Sequence, residues 1–313
     1  MDTAAHAAGV LPCYRACMKR RTLLQWSALA GAQAARAQSA RPLTRPIPSS
    51  GEQVPVVGLG TWITFNVGQD PPARAACADV MRAFFDAGGR LVDSSPMYGS
   101  SQGVVGDGLR SLGAQARVFS ADKVWTGGDG AAQIEASRRQ WQVPRFDLLQ
   151  VHNLLAWEKQ LELLQRMKAQ GLVRYVGITT SEGRRHREME TLLRDRRLDF
   201  VQLTYNPVDR EVEQRLLPLA AERGVAVLAN RPFQEGALTR RLQRRPLPGW
   251  AAEIDCTTWA QVVLKFIVAH PAVTCAIPAT RRVDHVRENL RAARGPLPDA
   301  ALRRRIVEHI AKL

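Results

Sequence analysis

Residues 90–102 read Arg-Leu-Val-Asp-Ser-Ser-Pro-Met-Tyr-Gly-Ser-Ser-Gln, and two later stretches repeat their plan: VFSADKVW at 118–125 and FDLLQVHN at 146–153. Each opens with a short apolar run rich in Val, Leu or Phe and ends in polar residues and turn formers, the pattern of a strand running out into a loop. A side chain at the end of a parallel strand points into the mouth of the sheet, where α/β enzymes keep their chemistry. Asp93, Tyr98, Lys123 and His152 stand at those ends. A carboxylate, a phenol, an ammonium and an imidazole meeting there make a proton-transfer site aimed at a carbonyl oxygen.

Outward from these segments the plan continues. Strand candidates fall at 55–60, 90–95, 118–123, 146–152, 174–180, 200–206, 225–231 and 273–279, with amphipathic helical patterns between them. Eight strand–helix units in sequence predict an α/β fold, a single closed (β/α)₈ TIM barrel. An open doubly wound sheet is the alternative, but no GxGxxG opens a helix after the first strand. Gly88, Gly171 and Gly224 punctuate helix C-termini. The Pro-rich lead at 38–52 is expected to form a short hairpin, the barrel to run over 53–313, and PDAALRRRIVEHIAKL at its end to add an extra C-terminal helix.

Residues 1–37 read as an export signal. Lys19, Arg20 and Arg21 precede a mildly apolar run from Leu23 to Ala35, and Ala35-Arg36-Ala37 is a small-residue cleavage pattern. The paired arginines followed by Thr22-Leu23-Leu24 resemble the twin-arginine signal of bacteria. Residues 1–17 fit no signal template, so translation is expected to start at Met18, and the mature protein to be periplasmic. The apolar run, at about 13 residues, is too short to span a bilayer. The chain of 313 residues carries a formal charge of +15, and only six of its 44 basic residues are Lys. The arginines are scattered along amphipathic segments, which suits solvated helix faces and argues against a nucleic-acid patch. Cys77, Cys256 and Cys275 are too few and too widely spaced for a disulfide framework or a metal site. No metal is expected; Cys77 and Cys275 read as buried small apolar groups, and a Cys256–Cys275 bridge stays open.

Seven segments together resemble the aldo-keto reductase superfamily across nearly the whole mature length: VPVVGLGTW, residues 93–99 of the opening stretch, ADKVW, LLQVHN, VGITTS, FVQLTYNP and AIPATRRVDHVREN. The resemblance implies an oxidoreductase that moves a hydride between a nicotinamide cofactor and the carbonyl or alcohol carbon of a small aldehyde or ketone. The family's catalytic tetrad maps onto Asp93, Tyr98, Lys123 and His152. Tyr98 would be the general acid, Lys123 would favour its phenolate, Asp93 would hold Lys123, and His152 would orient the carbonyl. An ammonium at hydrogen-bonding range is worth roughly 4 kcal/mol to a phenolate at an effective dielectric of about 20. Desolvation opposes it, so the phenol is expected to titrate in the range of about 7–9.

By the same resemblance Thr179, Thr180 and Gln202 hold the nicotinamide carboxamide. Asn230 and Arg231 stand where many members stack a tyrosine on the ring, and Phe233, Gly236 and Leu238 belong to the pyrophosphate loop. At the phosphate end the chain departs from the family, with Ala279 and His285 in place of a Lys and an Arg. Thr280, Arg281 or Arg282, and Asn289 remain as contacts, so NADP is favoured with NAD as the alternative. Trp62, Trp125 and Asn153 match substrate-pocket positions. Partners implied are a small carbonyl substrate and, through residues 18–37, the twin-arginine export machinery, with no nucleic acid and no stable membrane insertion. An exported barrel that binds or senses cofactor with little turnover is the rival reading. Export of a folded protein would let the cofactor travel already bound.

Overall fold

The computed structural model describes residues 42–313, so the export signal and the first residues of the Pro-rich lead lie outside the described residues. The described chain opens with an antiparallel pair, β1 (Thr44–Pro46) and β2 (Gln53–Pro55), the expected hairpin, which extends to Pro55. Eight parallel strands follow in one sheet whose order is the order of the chain. They are β3 (Leu59–Gly60), β4 (Leu91–Asp93), β5 (Phe119–Val124), β6 (Phe146–His152), β7 (Val173–Thr179), β8 (Phe200–Thr204), β9 (Ala226–Asn230) and β10 (Cys275–Ala276). Bridges Val57–Ala276 and Gly60–Ala279 join the last strand to the first and close the barrel. Gly60 permits that join, since a Cβ on it would come within 2.8 Å of the Ile277 main-chain oxygen, and Gly58 allows the equally close approach of Leu91 on β4, whose oxygen a Cβ would meet at 2.9 Å.

Helices α1 (Pro71–Asp86), α2 (Ser101–Leu112), α3 (Gly130–Trp141), α4 (Trp157–Ala169) and α5 (His186–Asp195) pack outside the first strands. The patterned stretch after β8 splits into a 3₁₀ turn at Glu211–Glu213 and the short helix α6 (Leu216–Glu222). A second short helix, α7 (Ala237–Leu242), follows β9, then α8 (Trp259–Val268), α9 (Val283–Arg291) and the terminal α10 (Ala300–Ala311). Asp70, Asp129, Thr258 and Asp299 cap their helices by accepting main-chain N–H groups. Gly171 leaves α4 at a φ of 73°, a left-handed turn that a side chain would strain.

Two apolar layers result. Val, Leu, Ile and Met side chains on the outer faces of the strands meet the helices. Leu91, Phe119, Ala121, Leu148, Tyr175, Phe200 and Leu228 fill the barrel interior, and Ile47 and Val54 from the hairpin join them at its lower end. Burying each large side chain contributes about 1.5–3 kcal/mol. Tyr175 ties the hairpin down, its hydroxyl lying 2.7 Å from Ser50 Oγ and donating to Glu52. With that end stoppered, the opposite mouth is where the chain-terminal side chains of the strands are free to face a ligand. Cys77, Cys256 and Cys275 are buried and unbridged. Among the described residues no helix is long and apolar enough to cross a membrane.

Candidate active site

Alternation along β5 sends Phe119, Ala121 and Lys123 into the barrel interior, and Lys123 emerges fully buried just beneath the mouth. Its Nζ donates to Asp93 Oδ1 at 2.6 Å and to the Ser94 carbonyl at 2.7 Å. The other Asp93 oxygen accepts from Gln202 Nε2 at 3.0 Å. Asn230 continues the chain, donating to the Thr180 carbonyl at 2.9 Å and accepting from Thr204 Oγ1 at 2.7 Å. Tyr98 lies on the loop after β4, with its ring 4.9 Å from Lys123 Nζ, 4.9 Å from the Trp62 ring and 5.7 Å from the His152 ring. The structure thus brings Asp93, Tyr98, Lys123 and His152 together.

Each group's protonation has a physical cause. Burial pushes the Tyr98 phenol up, and the nearby Lys123 charge pulls against it without winning. The sequence-based expectation of a phenol near 7–9 is therefore corrected: desolvation outweighs the ammonium. Burial works to lower Lys123, but the Asp93 carboxylate, then Tyr98 and Asp122, outweigh it and keep it firmly an ammonium. His152 is lowered to about 2 by burial and then by the Lys123 charge, so it is neutral. Behind this cluster, on the outward side of β5, Asp122 is buried and pushed up to about 7 by desolvation. Its Oδ2 accepts from Gln102 of α2 at 2.6 Å, while Oδ1 has no partner.

The mouth opens into a cavity of about 860 Å³. Asp93, Tyr98, His152, Trp62 and Asn153 line one part, and Lys123 lies just behind it. Thr179, Thr180, Gln202, Asn230, Arg231, Phe233, Gly236, Thr280, His285 and Asn289 line the rest. Thr180 Oγ1 is buried there with no hydrogen-bond partner, an orphaned group that a ligand amide would satisfy. Gly236 takes a left-handed φ of 85° in the loop after β9 and lines the cavity.

Three expected contacts are not on this wall. Trp125 is turned out to solvent because Gln133 of α3 grips both its main-chain N–H, at 2.7 Å, and its carbonyl, at 2.9 Å. Leu238, in α7, is fully buried in the core. Arg281 is exposed outside the cavity, where its charge acts on Cys77 of α1. Other groups of the site were not singled out from the sequence. Ser95, two residues beyond Asp93 in the loop that carries Tyr98, lies 2.8 Å from His152 Nδ1. Arg240, Gln243 and Arg245, inside the run RRLQRR, line the cavity. Among the described residues no group of three or more His, Cys, Asp and Glu stands together as a metal site.

The model of the aldo/keto reductase family matches residues 56–309. A methylglyoxal reductase of Escherichia coli, YeaE, is 29% identical over 266 residues, covering 82% of this chain and 92% of its own. An NADH-specific methylglyoxal reductase of the same organism is 26% identical over 233 residues, covering 62% of this chain and 68% of its own. The crystal structure of an aldo/keto reductase from Klebsiella pneumoniae in complex with NADP and acetate superposes with a TM-score of 0.69 at 26% identity, over 82% of this chain and 93% of that one.

Proposed function

The chain belongs to the aldo/keto reductase family, and on that premise we propose that it reduces small aldehydes or ketones with a nicotinamide dinucleotide, NADP(H) first and NAD(H) second. The observation that carries this reading is the meeting of Asp93, Tyr98, Lys123 and His152 at the floor of one large cavity. The residues present fit the cofactor: the orphaned Thr180 hydroxyl, with Thr179 and Gln202 beside it, suits a carboxamide, and the loop over Gly236 suits a pyrophosphate. When bound, the nicotinamide supplies the hydride that a carbonyl carbon takes up.

The chain's own groups do the rest. His152 Nδ1 faces Ser95 Oγ, which also accepts the Met97 main-chain N–H at 3.2 Å. We assign the Ser95 proton to Nδ1, the tautomer in which Nε2 carries its own proton and can orient the carbonyl oxygen. With its pKa lowered to about 2, His152 is not an imidazolium near neutral pH and has no acidic proton to give, which leaves Tyr98 as the proton donor. Its raised phenol is fully loaded at neutral pH, and the proton moves only when negative charge develops on the carbonyl oxygen. Lys123, fixed by Asp93 and the Ser94 carbonyl, stabilises the phenolate left behind. Trp62 and Asn153 would shape the substrate end. The YeaE relationship points to methylglyoxal as a first substrate to test.

We also propose export of the folded protein to the periplasm by the twin-arginine route, on the strength of Arg20-Arg21 and the run that follows. The test of function is the fall in NADPH absorbance with methylglyoxal and with an aromatic aldehyde. Turnover with at least one is expected, and a protein that binds neither NADPH nor NADH would end the reading.

A further inference from the structure

Resting on the dinucleotide reading above, we infer that the positive charge facing the phosphate groups of that ligand comes from Arg240 and Arg245, in α7 and the segment after it, and not from the β10–α9 loop. The β10–α9 loop is poorly equipped. It has Ala279 where a cation would be useful, and Arg281 lies outside the cavity with its charge near Cys77. Arg282 is held at the surface by Asp284, donating from Nε at 3.0 Å and from Nη2 at 2.5 Å. Arg231 does line the cavity, but Glu182, at 2.9 Å, and Glu235 both pair with it and cancel its charge.

Arg240 and Arg245 also line the cavity, and no Asp or Glu side chain among the described residues pairs with either. Arg240 folds over the loop expected to carry the pyrophosphate. A Cβ on Gly236 would come 2.8 Å from its Nη1, and its weak bond to the Glu235 carbonyl is 3.5 Å long. Arg245 is positioned through its main chain, whose carbonyl accepts the Trp259 indole N–H at 3.0 Å, while its guanidinium meets the Leu313 oxygen at 3.5 Å. Trp259, Thr280 and His285 line the same cavity. Three carboxylate residues line the cavity, Asp93, Glu235 and Glu288, the last beside Asn289 on α9. Two guanidiniums lining a large cavity, with no Asp or Glu partner among the described residues, are a receptor for phosphate, through charge-assisted paired N–H donors.

The test is titration of the full chain with NADP⁺, NAD⁺ and 2′-AMP, read by quenching of tryptophan fluorescence, since Trp62 and Trp259 line the cavity. Arg240→Ala and Arg245→Ala should each weaken NADP⁺ by about 10- to 150-fold, with Arg240→Lys recovering part of the loss. Arg281→Ala and Arg282→Ala should bind within two-fold of the parent protein. Loss of NADP⁺ and 2′-AMP with NAD⁺ spared puts the contact at the 2′-phosphate, and equal loss of NADP⁺ and NAD⁺ puts it at the pyrophosphate. Unchanged binding in Arg240→Ala or Arg245→Ala, with an unchanged melting temperature, overturns the assignment for that residue. A loss carried by Arg281→Ala or Arg282→Ala overturns it altogether. A parent protein that binds no dinucleotide sinks the functional reading itself, a result distinct from these.

Discussion

Replacing Lys123 by Met removes the cation beside Tyr98 while keeping an unbranched chain in the barrel interior. Nζ lies 4.9 Å from the Tyr98 ring centre. At an effective dielectric of about 20, a unit charge at that range stabilises the phenolate by about 3 kcal/mol. Proton donation to a developing alkoxide should therefore slow by about 100-fold, the usual scale for a general acid. The substitution also strands Asp93, a buried carboxylate that keeps only its Gln202 bond. Orphaning one member of a buried ion pair costs about 3–5 kcal/mol, so thermal stability should fall as well. Asp93→Asn combined with Lys123→Met separates the two effects, because it removes the stranded charge without restoring the cation. Single-turnover loss of NADPH absorbance, taken from pH 6 to 9 beside thermal unfolding, is the assay. The double variant should regain stability and stay slow. A double variant that regains the rate too would be incompatible with the reasoning, and so would a Lys123→Met protein within three-fold of the parent at every pH. Lys123 would then serve only to balance Asp93.

Tyr98→Phe should abolish carbonyl reduction while dinucleotide affinity, followed by tryptophan quenching, stays within a few-fold; near-normal turnover would remove the general-acid role. Asp122 is raised from 3.8 to about 7, so folding takes up its proton between those values and its contribution to stability falls as pH rises through that window. Asp122→Asn erases this slope, and because the opposing slope of His152 cancels in the difference, the melting temperature of the variant should gain on the parent from pH 5 to pH 8. A constant difference would place the Asp122 proton elsewhere. Arg20→Lys with Arg21→Lys should leave the protein inside the cell with its signal attached, since lysine lacks the planar donor fork of the guanidinium pair; normal export on cell fractionation would point to the general secretory route.

The barrel was legible because each strand is a short apolar run ending in turn formers, and strand direction then forces Asp93, Lys123 and His152 to one mouth. What the residue string could not carry was depth. Tyr98 looks like a phenol beside an ammonium, and only the packing of Trp62 and His152 around it reveals that desolvation governs its acidity. Direction was equally hidden: Gln133, eight residues on, turns Trp125 away from the cavity, and Leu238 sits on the inward side of a helix one turn and a half long. The segment after β9 has no steady helical period, so the placement of Arg240 and Arg245 emerges only once α7 and the turns around it are built. Ser95 stood inside a recognised motif, and the hydrogen bond to His152 is a contact between two strand ends that sequence separation conceals.

The join between β10 and β3 rests on few main-chain bonds: Gly58 N–H to Ala276 at 2.8 Å, Ala276 N–H to Val56 at 2.9 Å and Gly60 N–H to Pro278 at 3.0 Å. Elsewhere β6 and β7 stay in register from Phe146 and Val173 to His152 and Thr179. Such a seam is where a closed sheet opens first, as a local fluctuation rather than global unfolding. Thr280, His285 and Asn289 follow directly from its β10 side, and Trp62 from its β3 side, so a ligand in the cavity touches both edges of the zip. A ligand that binds the closed barrel and touches both edges would add its binding free energy to that short seam, so occupancy and closure would be thermodynamically linked.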